Sequence, residues 1–137
     1  MKSYANRTRV PVQQTRNEVE QLLLRAGASS VGVLTDATLA LVAFKLQGRA
    51  YRMAVPLPSA KSMSEAQRMQ AMRQRWRALW LVLRAKIESA QSGITTLEVE
   101  MMPYAVMPSG RTVAEEVLPR LAAAYESGRD VPLLPQQ

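Results

Sequence analysis

The side chains in this sequence that could do chemistry are mainly arginines. The chain of 137 residues contains 18 Lys and Arg but no Cys and no His. Disulfide bonds, thiolate chemistry, imidazole acid–base catalysis and His or Cys metal sites are therefore excluded. What remains is an arginine-rich surface that suits phosphate groups. Its candidate members are Arg7, Arg9, Arg49, Arg52, Arg68, Arg73, Arg75, Arg77 and Arg84.

The acidic residues do not show the pattern of a metal-dependent enzyme. Such an enzyme needs clustered carboxylates, often with a Lys nearby, and no PD…(D/E)xK spacing occurs. Carboxylates near predicted helix starts are explained by capping and by the helix dipole. No Walker loop and no GxGxxG are present. The sequence therefore predicts a non-enzymatic protein with no cofactor and no metal site.

Positive charge is concentrated in the first two thirds of the chain. Residues 1–87 hold 15 Lys and Arg against four Asp and Glu, a net charge of +11, whereas residues 88–137 have a net charge of −4. A strongly basic segment attracts nucleic acid or another polyanion. The competing interpretation is a basic surface that is only solvated. The sequence therefore leaves both interpretations open.

A long helix predicted over residues 62–90 positions most of these arginines. Apolar residues recur there at steps of three and four, which forms one buried stripe. Arg73, Arg77 and Arg84 fall along one edge of that stripe, and Arg68 and Arg75 fall along the other. The second half is apolar on nearly every side, so it is expected to be covered on several sides.

Four capping boxes, each a Ser or Thr followed three residues later by Glu, predict four helices. Pro103 is expected to end the third helix early, and Pro119 to kink the fourth. Gly27, Gly93 and Gly128 are suited to the ends of the other helices. The four boxes are Thr15/Glu18, Ser62/Glu65, Thr95/Glu98 and Thr112/Glu115.

Residues 31–56 are predicted to form a three-stranded antiparallel meander. A turn at Gln47 and Gly48 places Phe44 opposite Tyr51 and gives one apolar face. A second turn at Asp36 and Ala37 would pair Val33 with Ala40 on that same face. The long helix is expected to cover it, with Tyr51, Trp76 and Trp80 interpreted as core residues rather than as base-stacking platforms.

The fold class is therefore α+β, in the order α-β-β-β-α-α-α, with the meander packed on the long helix. We predict an extended basic arm over residues 1–14, one domain over residues 15–128 and an extended tail over residues 129–137. The N-terminal residues do not resemble a signal peptide, and no apolar run is long enough to cross a bilayer. A cytoplasmic protein without membrane contact is expected.

Seven segments, in this order, resemble a family of small proteins encoded by tailed bacteriophages and prophages. They are PVQQTRNEVE, FKLQGRAYR, VPLP, RQRWRAL, GITTLEVE, PSGRTV and AAYESG. Family members have no assigned activity, so the resemblance supplies no catalytic residues. Many have a longer insert where this chain has only residues 57–61, and they tend to lack an equivalent of Pro103. The resemblance implies a phage accessory protein that acts in the cytoplasm of the bacterial host.

The leading functional hypothesis is nucleic-acid binding through the arginine-rich surface. A first alternative is an inhibitor or modulator that binds a host or phage protein. A second is a homo-oligomer that buries the Met-rich segment of residues 63–72 against its own copy, because Met side chains suit adaptable interfaces.

Overall fold

The computed structural model describes residues 4–134 and has the α+β order predicted from the sequence. A three-stranded antiparallel sheet follows the first helix, and three helices follow the sheet. Short 3₁₀ helices lie at Tyr4–Arg7, Ala60–Ser62 and Met102–Tyr104. The main elements are α1 Val12–Arg25, β1 Ser30–Thr35, β2 Leu39–Leu46, β3 Arg49–Pro56, α2 Glu65–Gln91, α3 Leu97–Met101 and α4 Val113–Ser127.

The hairpin between β2 and β3 has the predicted turn and register. Gln47 and Gly48 both have positive φ, 53° and 76°, as a two-residue turn matched to the strand twist requires. Phe44 therefore pairs with Tyr51, and their rings stack at a centroid distance of 5.2 Å. Alternate residues of both strands are buried, which confirms a single apolar face.

The turn between β1 and β2 differs from the prediction. Val33 pairs with Val42, not with Ala40, so the register shifts by two residues. Asp36 causes the longer turn because its Oδ1 accepts hydrogen bonds from the Thr38 and Leu39 amides, both at 2.8 Å. These bonds lower the pKa of Asp36. A shift of two residues preserves side-chain alternation, so Val33 stays on the expected face.

Two helices, not one, cover the apolar face of the sheet. Val19 and Leu23 of α1 and Trp76 and Leu83 of α2 join the inward-facing strand residues in one buried core. Trp76 is the central aromatic residue, only 2% exposed. Trp80 is half-buried at the edge of that core, so the expectation that both indoles are core residues holds fully only for Trp76.

The predicted capping box of α4 is confirmed, and the predicted starts of α2 and α3 are displaced. Thr112 accepts from the Glu115 amide, and Glu115 reaches back to the Thr112 amide. Helix α2 starts two residues late, with Ser64 and Gln67 as its box, because Ser62 belongs to a 3₁₀ helix. Thr96, one residue after the predicted Thr95, caps α3, which ends at Met101, before Pro103.

The predicted cap of α1 is wrong. The helix begins at Val12 after Pro11, three residues before Thr15. The Thr15 amide bonds to the Pro11 carbonyl at 3.1 Å, so Thr15 is already inside the helix. Its side chain lies on the buried face, and its hydroxyl has no hydrogen-bond partner among the described atoms. Glu18 therefore does not cap α1, and its carboxylate is free to form an ion pair with a residue of α2.

The N-terminal segment is packed on the domain and is not an extended arm over its described part. It contains the Tyr4–Arg7 3₁₀ helix, and Ala5 and Thr8 are buried. The side-chain amide of Gln70 on α2 donates to the Thr8 carbonyl at 2.9 Å. Residues 1–3 of the predicted arm, and residues 135–137 of the predicted tail, lie outside the described residues.

The back of the second half of α2 is not covered as the sequence suggested. Val82 is 43% exposed and Ala85 is exposed as well, while Leu81 is half-buried. The sheet and α1 both lie on the opposite side, where Leu79, Leu83 and Ile87 are buried.

Within residues 4–134, no helix is long and apolar enough to cross a membrane.

The unpaired hydroxyl of Thr15 gives a prediction about stability. Thr15→Val should stabilise the protein by about 1 kcal/mol, because it replaces a buried unsatisfied polar group with an isosteric methyl. Thr112→Val is the matched control and should cost about 1 kcal/mol through loss of the cap. Urea unfolding of both variants measures the difference. A destabilised Thr15→Val protein would show that the hydroxyl has a role in the fold.

Candidate nucleic-acid interface

The predicted arginines of α2 lie on two sides of the helix. Arg73, Arg77 and Arg84 line one side, which faces α1 and the N-terminal segment. Arg75 lies on the other and donates to the Pro56 carbonyl at the end of β3. Arg68 is half-buried and has no ion pair among the described residues. The structure thus separates the two edges that the helical spacing predicted.

On the α1 side, polar and aromatic residues form a continuous row, which we call the arginine ridge. Arg73 donates to the Gln70 side chain at 2.7 and 3.0 Å, which joins the row to Thr8. At 1.5 Å per residue, the row extends for about 21 Å along α2. The arginine ridge consists of Gln70, Arg73, Arg77, Trp80 and Arg84.

Between the ridge and α1 lies a groove of about 530 Å³, here called the α1–α2 groove. One wall consists of the second half of the ridge, and the other consists of one side of α1. The α1 side contributes three amides, one carboxylate, one Leu and one Arg. The lining residues are Gln14, Asn17, Glu18, Gln21, Leu22, Arg25, Arg77, Trp80 and Arg84.

Arg77 is the deepest charged residue of the groove. It is 8% exposed and forms an ion pair and hydrogen bond with Glu18 of α1. Its guanidinium carbon lies 3.9 Å from the centre of the Trp80 ring, a close cation–π contact. Its Nε has no hydrogen-bond partner among the described atoms. Arg77 therefore joins the two helices, and its charge is already compensated by Glu18.

The Glu18 carboxylate is held ionised by its neighbours. Partial burial by itself raises the pKa of Glu18, but hydrogen bonds from Gln14 and Arg77 and the charge of Arg77 outweigh it. The net effect is a pKa below the ordinary value of 4.5. The ion pair is thus retained at neutral pH and weakens only in acid.

Arg84 and Arg25 are the exposed cations at the rim of the groove. Arg84 bonds to Glu88 one turn further along α2 at 2.9 Å, and its guanidinium carbon lies 5.2 Å from the Trp80 ring centre. Arg25, at the end of α1, has no ion pair among the described residues. Exposed i,i+4 pairs contribute only about 0.3–0.5 kcal/mol, so both side chains can reorient toward a ligand.

Arg49 and Arg52 do not join the ridge. Arg49 pairs with Glu98 at 3.3 Å, and Arg52 pairs with Glu115 at 2.9 Å, so the acidic C-terminal part compensates both charges. The hydrogen bond and charge of Glu98 raise the pKa of Arg49. Backbone and side-chain bonds from Thr112, together with Arg52, lower the pKa of Glu115.

The remaining predicted cations, Arg7 and Arg9, are exposed on the segment that bonds to Gln70. They therefore lie at the end of the ridge away from Arg84. Sequence reasoning missed Arg25 and also Arg16, which lies 5.7 Å from the Trp76 ring centre. Their positions on α1 could have identified them only if the packing of α1 against α2 had been known.

Comparison of the chain with known protein families, with curated proteins and with solved structures gives no match. The geometry of the described residues is therefore the basis for a functional conclusion. Within those residues, no group of three or more acidic side chains is placed to hold a metal ion. The α1–α2 groove and the arginine ridge are the features that combine cations, amides and an indole.

We expect the Arg77–Glu18 ion pair to contribute to the free energy of unfolding at neutral pH and to lose that contribution in acid. The pKa of Glu18 is lower in the folded protein, so its contribution is present above about pH 4.5 and is lost as the pH falls through the folded value. Glu18→Gln should cost about 1 kcal/mol at pH 7, and its difference from wild type should shrink at pH 3. Urea unfolding at both pH values measures this.

Glu20→Gln is the matched control, because Glu20 is exposed and forms no ion pair among the described residues. It should behave like wild type at both pH values. An equal loss in the two variants would contradict the role of the Arg77–Glu18 pair.

Proposed function

We propose that this protein binds nucleic acid through the arginine ridge and the rim of the α1–α2 groove. The observation that carries the proposal is the row Arg73–Arg77–Trp80–Arg84, with Arg25 facing it across the groove. Guanidinium groups bind phosphates with two hydrogen bonds and stack on aromatic rings and bases. In this proposal the protein binds its ligand, and these residues carry out no chemical step.

The distribution of compensated charge supports this location. Arg49 and Arg52 are paired with acids, and Arg75 is bonded to a backbone carbonyl. Arg7, Arg9 and Arg25, by contrast, are exposed and form no ion pair within residues 4–134. The net positive potential is therefore expected on the face shared by α1, the N-terminal segment and the ridge. A polyanion approaching the protein is steered to that face.

The resemblance to small phage and prophage proteins supplies the biological setting of the proposal. We propose a non-enzymatic accessory protein of a phage or prophage, acting on DNA or RNA in the host cytoplasm. The acidic C-terminal part, with α4, would then face away from the nucleic acid because like charges repel.

The double variant Arg25→Ala with Arg84→Ala tests the proposed interface. Both side chains are exposed, so their removal should leave the fold intact. We expect weaker binding to all sequences alike, with the slope of log affinity against log salt flattened by about 0.7–0.9 per lost phosphate contact. Fluorescence anisotropy with labelled 15-nucleotide DNA and RNA at several salt concentrations measures both quantities.

Arg49→Ala with Arg52→Ala is the control, because it removes the same charge from strand β3, whose arginines do not line the α1–α2 groove. Its binding should stay within about threefold of wild type. If both double variants lose affinity equally, the effect is one of net charge and the proposed location is wrong. If the wild-type protein binds no nucleic acid at low salt, the proposed function itself fails.

A second candidate function, self-association, is favoured by the exposed apolar face of α4. Leu118 is 60% exposed, Leu121 is 41% exposed and Tyr125 is 84% exposed. The three lie at steps of three and four residues, so they share one side of the helix. Among the residues of α4, only Glu116 is buried. Within residues 4–134, this helix therefore presents an unpartnered apolar face.

A second copy of α4 in antiparallel orientation suits this face. If the two helices cross between residues 121 and 122, Leu118 of one copy lies opposite Tyr125 of the other. The same patch serves both subunits, as a two-fold interface requires. The segment predicted for self-association, residues 63–72, is partly occupied by the contact of Gln70 with Thr8, so α4 is the better candidate.

Leu118→Ser with Tyr125→Ser tests self-association. The wild-type protein should form a dimer whose population rises with concentration, and the variant should remain monomeric. Light scattering after size-exclusion chromatography measures the mass. Ile94→Ser is the control, because Ile94 is also highly exposed but lies outside α4. A wild-type monomer at every accessible concentration excludes this candidate.

A further inference from the structure

We infer that the α1–α2 groove binds an unpaired nucleobase, so that the preferred ligand is single-stranded nucleic acid with one base stacked at Trp80. This inference rests on the proposed function and specifies its ligand. It follows from the depth of the groove residues, from the weak attachment of Arg84 and from the size of the groove.

The residues of the groove are layered by depth. Arg77 is buried and Trp80 is half-buried, whereas Arg25 and Arg84 are exposed. The indole and the planar guanidinium of Arg77 thus lie below two cations that reach solvent. A nucleotide matches this order, because its base is flat and apolar on its faces and its phosphate is charged. The base would enter toward Trp80, and the flanking phosphates would stay with Arg25 and Arg84.

Access to the indole requires a small movement of Arg84. Its guanidinium carbon lies 5.2 Å from the Trp80 ring centre, and its other described contact is the exposed pair with Glu88. Such a pair holds a side chain weakly. Arg84 can therefore leave the ring and bind a phosphate, which frees part of the indole for a base. Arg77 stays in place because Glu18 holds it.

The volume of the groove, about 530 Å³, is that of a site for one small ligand. A duplex keeps its bases stacked inside two phosphate backbones, so none can reach Trp80 without being flipped out. An unpaired strand can present a base at little cost, and aromatic rings and Arg guanidinium planes are the usual platforms for it. The groove therefore favours single strands, whereas exposed cations alone would accept a duplex equally well.

Two side-chain amides provide hydrogen bonds to a bound base. Asn17 and Gln21, both exposed on α1, carry amides of the kind that pair with base edges. The groove thus contains hydrogen-bonding groups for a base edge as well as a stacking surface.

The experiment compares 15-nucleotide single strands of DNA and of RNA with a duplex of the same sequence. The single strands should bind at least tenfold more tightly than the duplex at equal salt. Trp80→Leu should reduce single-strand affinity about tenfold or more. Trp80→Phe should keep most of the wild-type affinity, because an aromatic ring is retained. Melting curves confirm that each variant is folded. The two single strands show whether DNA or RNA is preferred.

Indole fluorescence provides a readout that a purely structural role of Trp80 would not change. A stacked base should quench the wild-type signal on titration. Quenching should be absent in Trp80→Phe, where the remaining indole is the buried Trp76. This measurement keeps the test valid even if Trp80→Leu does not fold.

The outcomes separate the two claims. Equal affinity for duplex and single strand, together with unchanged binding by Trp80→Leu and no quenching in the wild type, overturns the base-binding inference. Phosphate binding stands in that case if Arg25→Ala with Arg84→Ala is still weakened. No binding of any nucleic acid at low salt overturns the proposed function and this inference together.

Discussion

The contact between Arg77 and Glu18 is the interaction on which the arrangement of α1 and α2 depends. The guanidinium of Arg77, a residue that is 8% exposed, requires an anionic or strongly accepting partner, and Glu18 of α1 is that partner. Their pairing fixes the two helices side by side on one face of the sheet. This pair, together with the apolar core that α1 and α2 share, forms the floor of the groove, and Arg25 and Arg84 lie at its exposed rim.

The sheet imposes a second constraint. Three strands have one apolar face, and α1 and α2 share it, so the strands contribute no residue to the groove. The arginines of β3 instead form ion pairs with Glu98 and Glu115 of the acidic C-terminal part. The protein is thereby divided into a face with uncompensated cations and a part in which cations and acids are matched. This division is the basis for proposing a polyanion ligand for one face and a second protein copy for α4.

Trp80 connects the fold to the proposed function. Its half-buried indole packs at the edge of the core and at the same time lies against two guanidinium groups. One of these, Arg77, is fixed by the helix pairing, and the other, Arg84, is exposed. The position of Trp80 in a helical stripe does not tell whether it is a core residue or an interface residue. Residues of both kinds recur at the same spacing along a helix.

The sequence by itself determined the α+β order, the β2–β3 register, the Thr112 cap and the separation of Arg73, Arg77 and Arg84 from Arg75. Each of these depends on turn chemistry or periodicity within a short segment. Tertiary structure alone decided which cations are compensated, since Arg77, Arg49 and Arg52 meet acids far away in the chain. It also decided that Thr15 is buried and that α4 is exposed, because an apolar stripe predicts that a face can be buried but does not identify what covers it.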